Sequence, residues 1–102
     1  MANPHRGEVE VLVDGALRTA RLTLGALAEL EEALGEGSLV ALVERMEAGR
    51  VSSRDVLSLI VAGLRGGGWA VSRDDLLAAD IAGGPVGATR AAALLLARAF
   101  GP

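Results

Sequence analysis

Cysteine is absent from the 102 residues, which removes disulfides, thiolate metal sites and thiol nucleophiles together and fits a reducing compartment. Aromatic residues are nearly absent too: at 2% they amount to Trp69 and Phe100. A core must therefore be built from Leu, Val and Ala, with those two side chains as its only large flat pieces, and such a core suits helices. Lysine is missing as well, since all ten basic residues are Arg. We read that as a composition bias without bearing on ligands. No apolar run approaches the roughly 20 residues that a bilayer span needs. Residues 1–6 have no apolar signal core behind them. The chain is expected to stay in the cytoplasm, neither exported nor inserted.

What is present is a chain 51% hydrophobic with a net charge of −3. Its length allows one domain with a real core and not two. The expected organisation is a mobile leader over 1–6, a β-hairpin over 7–22 and a helical part over 23–100, an α+β fold that is mostly α. The charge is unevenly spread. Residues 26–47 carry six Glu against Arg45, residues 1–25 and 48–80 each balance, and 81–102 hold only Arg90 and Arg98. An acidic band opposes association with a phosphate backbone, which needs clustered positive charge.

The stretch Arg21-Leu22-Thr23-Leu24-Gly25-Ala26-Leu27-Ala28-Glu29-Leu30-Glu31-Glu32-Ala33-Leu34-Gly35 organises the rest. Thr23 has the right chemistry for an N-cap. Leu22 and Leu27 have the spacing of a hydrophobic staple, and Gly35 is the expected stop. Leu24, Leu27, Leu30 and Leu34 are expected to form one apolar stripe, with Glu29, Glu31, Glu32 and Glu36 on the other faces and in the loop beyond.

Upstream, Glu8-Val9-Glu10-Val11-Leu12-Val13 alternates as a strand. Asp14-Gly15 predicts a primed two-residue turn, pairing Glu8 with Arg21, Glu10 with Thr19 and Leu12 with Leu17. Val9, Val11 and Val13 then face Ala20, Arg18 and Ala16, a surface on which a helix can lie. Two strands alone are marginal in water, so helices must cover the hairpin or another molecule must extend it.

Beyond Gly35 the pattern predicts only helices. Ser38 is expected to cap 39–48, with Leu39, Leu42, Val43 and Met46 inward. Ser52 with Asp55 forms a capping box between Val51 and Val56, opening a helix to about Leu64 with Val56, Leu59, Ile60 and Leu64 as its stripe. Ser72 with Asp75 repeats the box between Val71 and Leu76 and opens a short helix ending near Gly83. Pro85 starts a last helix running to about Phe100. Its Leu94, Leu95, Leu96 and Phe100 make it apolar around most of its girth, hence deeply buried or an interface.

No catalytic constellation emerges. Gly66-Gly67-Gly68 follows a helix instead of preceding one, so it reads as a helix stop and turn, not a phosphate loop. Trp69 reads as a core or lid residue in preference to a ligand-stacking one. His5 lacks the partners that a general base or a metal site requires. Asp74, Asp75 and Asp80 do not follow a calcium-loop spacing. Ser52, Ser53, Ser58 and Ser72 have no His partner for a nucleophilic triad. A helix-turn-helix drawn from 52–64 and 72–82 would set Arg73 against Asp74, Asp75 and Asp80, the wrong sign for a DNA groove. No metal, cofactor or catalytic residue is expected.

The order of the features resembles the small gene transfer agent family proteins: a hairpin running into Arg21-Leu22-Thr23-Leu24-Gly25-Ala26-Leu27-Ala28-Glu29-Leu30-Glu31, then Ser38-Leu39 through Arg45, then Val56-Leu57-Ser58-Leu59-Ile60-Val61-Ala62-Gly63-Leu64-Arg65-Gly66-Gly67, then an Ala- and Leu-rich helix to Phe100-Gly101. These proteins are similar in role to the tail assembly chaperones of long-tailed phages. The resemblance implies a non-enzymatic assembly factor of a phage or prophage, working in the bacterial cytoplasm. It would associate with the tape-measure protein and help to recruit tail-tube subunits before leaving the particle. A tape measure is long, helical and apolar, so its chaperone must offer an apolar surface.

No family residue is carried over by position. On physical grounds alone, the partner-binding surface is expected at Glu29, Glu32, Glu36, Leu94, Leu95 and Phe100. The Glu group is either a solvated helix face or a docking surface for a basic partner. The Leu94-Leu95-Leu96 face and the open hairpin edges point to a homo-oligomer, most simply a dimer. The competing function is a small acidic regulatory adaptor that masks a basic surface of its partner. Neither reading has the chain touching nucleic acid or membrane. At physiological salt and micromolar protein, no salt-dependent retention of duplex DNA is expected in a filter-binding or anisotropy titration.

Overall fold

The two residues of the hairpin turn, Asp14 and Gly15, both take positive φ, 50° and 79°. That is the primed geometry matching the right-handed twist of the flanking strands. The structure is a computed structural model that describes Asn3, residues 6–34 and residues 38–100. Over these it runs β1 (Glu8–Val13), β2 (Ala16–Arg21), α1 (Leu24–Leu34), α2 (Ser38–Glu47), α3 (Ser53–Gly66), α4 (Arg73–Leu77) and α5 (Gly84–Phe100). The fold is α+β and mostly α, as expected. The expectations for His5, Gly35 and Glu36 lie outside the described residues, and Ser38, expected to cap a helix over 39–48, is instead the first residue of α2, which ends at Glu47.

The strands pair antiparallel in the expected register, Glu8 with Arg21, Glu10 with Thr19 and Leu12 with Leu17. Val9, Val11, Val13 and Ala20 are buried on one face, where α3 lies against β2 and α5 against β1. Helices therefore cover the hairpin on that face. The outer edge of β1 is also occupied. The Glu8 N–H donates to the Asn3 carbonyl at 3.1 Å, the Asn3 N–H donates to Glu8 Oε1 at 2.7 Å, and Arg98 donates to the Glu8 carbonyl. So Asn3, from the stretch expected to be a mobile leader, is tied to the strand.

Further along the same edge, the Asp14 N–H donates to the Asp80 carbonyl at 2.7 Å and the Ala82 N–H to the Leu12 carbonyl at 3.0 Å. These bonds frame a bridge between Val13 and Ile81. The Asp80 N–H completes the clasp on Asp14 Oδ1 at 2.8 Å. The fourth helix consequently stops at Leu77, short of the expected end near Gly83. Asp80 and Ala82 satisfy backbone groups on the hairpin instead of in another helical turn.

The caps at Thr23, Ser52 and Ser72 form as expected. Thr23 Oγ1 accepts the Ala26 N–H at 3.1 Å. Ser52 with Asp55 and Ser72 with Asp75 are reciprocal capping boxes, each satisfying two backbone donors that a helix start otherwise leaves orphaned. The stripes of α2 and α3 fall where the spacing put them. Leu42 is fully buried with Leu39, Val43 and Met46 packed beside it, and Val56, Leu59, Ile60 and Leu64 are all in the core.

The α1 stripe is shifted. Leu24, its first residue, is 84% exposed, while Ala26 and Leu30 are buried and Leu27 and Leu34 flank them. The physical reason is the neighbour: the end of α3 presses against Ala26, and a small side chain there lets it approach. Phe100 is 54% exposed at the tip of α5 and does not join the core. Trp69 does, in part. The Arg18 guanidinium stacks 4.0 Å from the Trp69 ring centroid, a cation–π contact that covers the indole, and Arg18 Nε has no hydrogen-bond partner among the described residues.

Gly66 and Gly67 do more than stop a helix. A Cβ on Gly66 would fall 2.0 Å from the Arg21 carbonyl oxygen and one on Gly67 1.9 Å from that of Thr19. Gly67 has φ −81°, open to any residue, so the demand here is for space and not for conformation. Helix propensity alone makes Gly66→Ala stabilising by up to about 1 kcal/mol. Contact with a rigid strand backbone makes it destabilising by about 3 kcal/mol. A urea melt of Gly66→Ala is expected to show the loss.

Candidate functional site

The turn before α5 builds one wall of a cleft. Gly83 and Gly84 take φ +83° and +62°, and the Gly87 N–H donates to the Gly83 carbonyl at 3.1 Å. A Cβ on Gly87 would strike the Ala82 carbonyl oxygen at 2.0 Å, so the turn can close tightly only over glycine. With Ile81 fastened to β1, this turn holds Pro85, Ala88 and Thr89 opposite Val56, Leu57 and Ile60 of α3. Leu76 and Ile81 complete a cleft of about 300 Å³. Its lining contains no titratable side chain. The Thr89 hydroxyl donates back to the Pro85 carbonyl at 2.8 Å. Such a cleft is suited to apolar side chains of a partner and offers no acid, base or nucleophile pair.

Through Pro85 and Thr89 the cleft continues onto a shallow apolar surface with Val86, Arg90 and Ala93. Val86 is 67% exposed and Leu94 39%. Positions 86, 90, 93, 97 and 100 recur at helical spacing, so the outer face of α5 is an apolar strip interrupted by Arg90.

The expected site residues divide four ways. Leu94 and Phe100 lie on that exposed face of α5. Leu95 is 0% exposed, turned into the core where it fills the space beside Gly63; in this fold it is not available to a partner, because α5 uses its Ala91, Ala92, Leu95 and Leu96 side to pack. Glu29 and Glu32 are exposed on α1, but Glu29 is engaged. Arg65 Nε donates to its Oε2 at 3.0 Å and Nη2 to its Oε1 at 3.4 Å, and these bonds, with the charge of Arg65, hold its carboxyl below the usual range. Glu36 lies outside the described residues. Sequence reading missed Leu57, Ile81, Pro85 and Val86 as a surface. Leu57 carries a signal in retrospect, being an apolar residue off the inward stripe of its helix.

Across the N-terminus of α3, Ser52 also borders a second, polar cleft of about 510 Å³. There Arg45 meets Asp55 in a two-pronged pair, Nε to Oδ2 at 3.0 Å and Nη2 to Oδ1 at 2.9 Å. The Ser52 N–H adds a bond to Oδ2 at 3.1 Å. Arg54, Ser58 and Arg73 line the rest with Ala33 and Leu34. Among the described residues no group of three or more His, Asp or Glu is placed to hold a metal ion, and no helix is long and apolar enough to cross a membrane.

The chain is thus small, mostly helical and α+β, with an apolar cleft that runs onto an apolar face of its last helix. The family model for phage tail tube protein, GTA-gp10, matches residues 6–102, and the chain belongs to that family. This bears out the gene transfer agent and phage tail family that the sequence resembles. The family is one of structural tail proteins, not enzymes. No curated protein and no solved structure matches the chain.

Asp55 gives the site region a pH signature. Burial pushes its carboxyl up, but the bonds from Arg45 and Ser52, with the Arg45 charge, outweigh that and leave it below the ordinary 3.8. The folded state thus binds the proton less tightly than the unfolded chain. The stabilisation is fully present above about 3.8 and is lost as pH falls through the lowered folded value. Asp55→Ala is expected to cost about 3 kcal/mol at neutral pH, from the lost cap and the broken pair. That difference should shrink in urea melts taken down to pH 3.

Proposed function

We propose that the protein is a non-enzymatic tail assembly chaperone. It holds an apolar segment of the tape-measure protein in the cleft between α3 and α5 and along the outer face of α5, and it helps to recruit tail-tube subunits to that client. The work is done in the bacterial cytoplasm, and the chaperone leaves the finished particle. The observation that carries the reading is the apolar surface running from Leu57 and Ile81 through Pro85 to Val86, Ala93 and Leu94, on a chain of a phage tail family. A solvated apolar surface of that kind is costly unless a partner covers it.

While no client is bound, the α5 face is proposed to pair with the same face of a second copy. Val86 and Phe100 lie equally far from Ala93 along the helix. An antiparallel pair centred on Ala93 therefore sets each against the other's counterpart, with small Ala93 and Ala97 allowing close approach. Strand addition is the weaker route to a dimer, because the β1 edge is occupied and Gly66 and Gly67 stand against β2.

The family description favours a second reading, in which the chain is itself a subunit of the tail tube. The two differ in the finished particle: a tube subunit is a stoichiometric component and a chaperone is absent. The acidic adaptor reading loses ground, since Glu29 is already paired with Arg65 and the family is one of tail proteins.

Co-expression with the tail proteins encoded beside it, followed by affinity recovery, tests the proposal. Wild type is expected to bring down the tape-measure protein. Val86→Asp and Leu94→Asp, both at exposed positions that leave the fold intact, should reduce recovery at least about tenfold, as loss of a central apolar contact does. Light scattering of the same variants should show monomers where wild type gives dimers. Recovery unchanged in both variants would refute the α5 surface.

A further inference from the structure

The polar cleft on the other side of the α3 N-terminus carries a charge imbalance. Three guanidiniums, from Arg45, Arg54 and Arg73, border it against one carboxylate, Asp55. That carboxylate is spent. It is buried, takes both prongs of Arg45 and accepts the Ser52 N–H as well. Arg45 is therefore neutralised in place, and the surplus belongs to Arg54 and Arg73.

Arg73 is held by one bond only, from Nη1 to the buried Ser58 hydroxyl at 3.0 Å. Ser58 anchors the guanidinium without neutralising it, and the other Arg73 donors have no partner among the described residues. Arg54 has none there at all. Two arginines with unspent, forked donors beside a roomy cleft are chemically matched to an oxyanion, which a guanidinium binds through two parallel bonds.

The position of the cleft narrows the ligand. It shares Ser52 with the apolar cleft, so the two flank the first turn of α3. The arginines lie on the opposite face of α3 from the apolar cleft, so a chain meets them where it leaves that cleft past Ser52 and rounds the start of the helix.

We propose that Arg54 and Arg73 form a carboxylate-binding subsite that takes an Asp or Glu side chain of the tail partner whose apolar segment occupies the neighbouring cleft. This rests on the reading of that cleft given above. It makes the recognised motif an apolar segment flanked by an acidic residue. The subsite would set the direction in which the segment lies, because an apolar trough alone does not distinguish the two ends of a helix, whereas a charge fixed at one end does.

Two arms test this separately. In the first, the probe is the acetylated, amidated single residue glutamate, titrated into nitrogen-15-labelled protein, with the glutamine analogue and inorganic phosphate in parallel. Glutamate is expected to shift the Ser58 amide and the Arg73 side-chain resonances saturably, and the glutamine analogue to leave them in place. Arg73→Gln and Arg54→Gln, with their remaining spectra showing a native fold, should weaken the effect at least about tenfold, the loss expected for charge-assisted bonds. Absence of a saturable shift, equal shifts with glutamine, insensitivity to both substitutions, or far tighter saturation by phosphate each overturns the carboxylate subsite.

In the second arm, Arg54→Gln and Arg73→Gln are carried into the co-expression experiment. Reduced recovery of the tail partner, more marked at low salt, supports the proposal. Full recovery with these variants, while Val86→Asp loses the partner, overturns the subsite and leaves the apolar cleft standing. If wild type recovers no tail protein, the cleft reading fails, and so does the assignment of the subsite to that partner.

Discussion

The contact on which the structure depends is the approach of α3 to the backbone of β2. Helix and strand meet here without side chains between them, since Gly66 and Gly67 bring the end of the helix against the carbonyls of Arg21 and Thr19. From that contact α3 can touch every other layer. Its Val56, Leu59, Ile60 and Leu64 are buried, α1 and α4 rest on it, and α5 closes over Gly63, where a Cβ would meet Leu95 Cδ1 at 2.7 Å. Packing density this high turns a single methyl group into a structural change. It also explains why an Ala- and Leu-rich chain with two aromatic residues can still fill its core.

Much of the fold was legible because several local signals agree with one another. The hairpin register follows from Asp14-Gly15 and the valine alternation. The starts of α1, α3 and α4 follow from Thr23, Ser52 with Asp55, and Ser72 with Asp75. Where the reading went astray, a long-range contact overrode a local preference. Leu24 has the spacing of a core leucine, but Ala26 wins the buried position because the glycine end of α3 needs a small neighbour. Residues 80–82 have no strand pattern, yet they bridge to the end of β1 and its turn, nearly seventy positions earlier in the chain. The glycine run reads as a stop, because its closeness to β2 is a contact between distant segments that no local pattern encodes.

The candidate surface was less legible than the fold. Charge counting pointed to the glutamates of α1, whereas the structure engages Glu29 with Arg65. It also places Arg54 and Arg73 in the lining of one cleft whose single carboxylate, Asp55, is already taken by Arg45. A sum over residues 48–80, which balances to zero, hides that geometry. In α5 the run Leu94-Leu95-Leu96 reads, as sequence, like one face. A helix turns about 100° per residue, so adjacent leucines must diverge, and Leu95 and Leu96 go inward while Leu94 stays at the surface.

The stacked pair of Arg18 and Trp69 has an optical consequence. Trp69 is the one indole in the chain; it directly follows the α3 glycines and packs partly against the core, with the Arg18 cation of β2 on its face. Ultraviolet emission excited selectively at tryptophan therefore comes from a single place, the seam that joins sheet to helix. Loosening there exposes the ring to water and removes the guanidinium from it, which alters the colour and yield of the light, whereas fraying at the far end of α5 leaves the signal unchanged. The protein thus carries its own local reporter for the contact on which its folding depends.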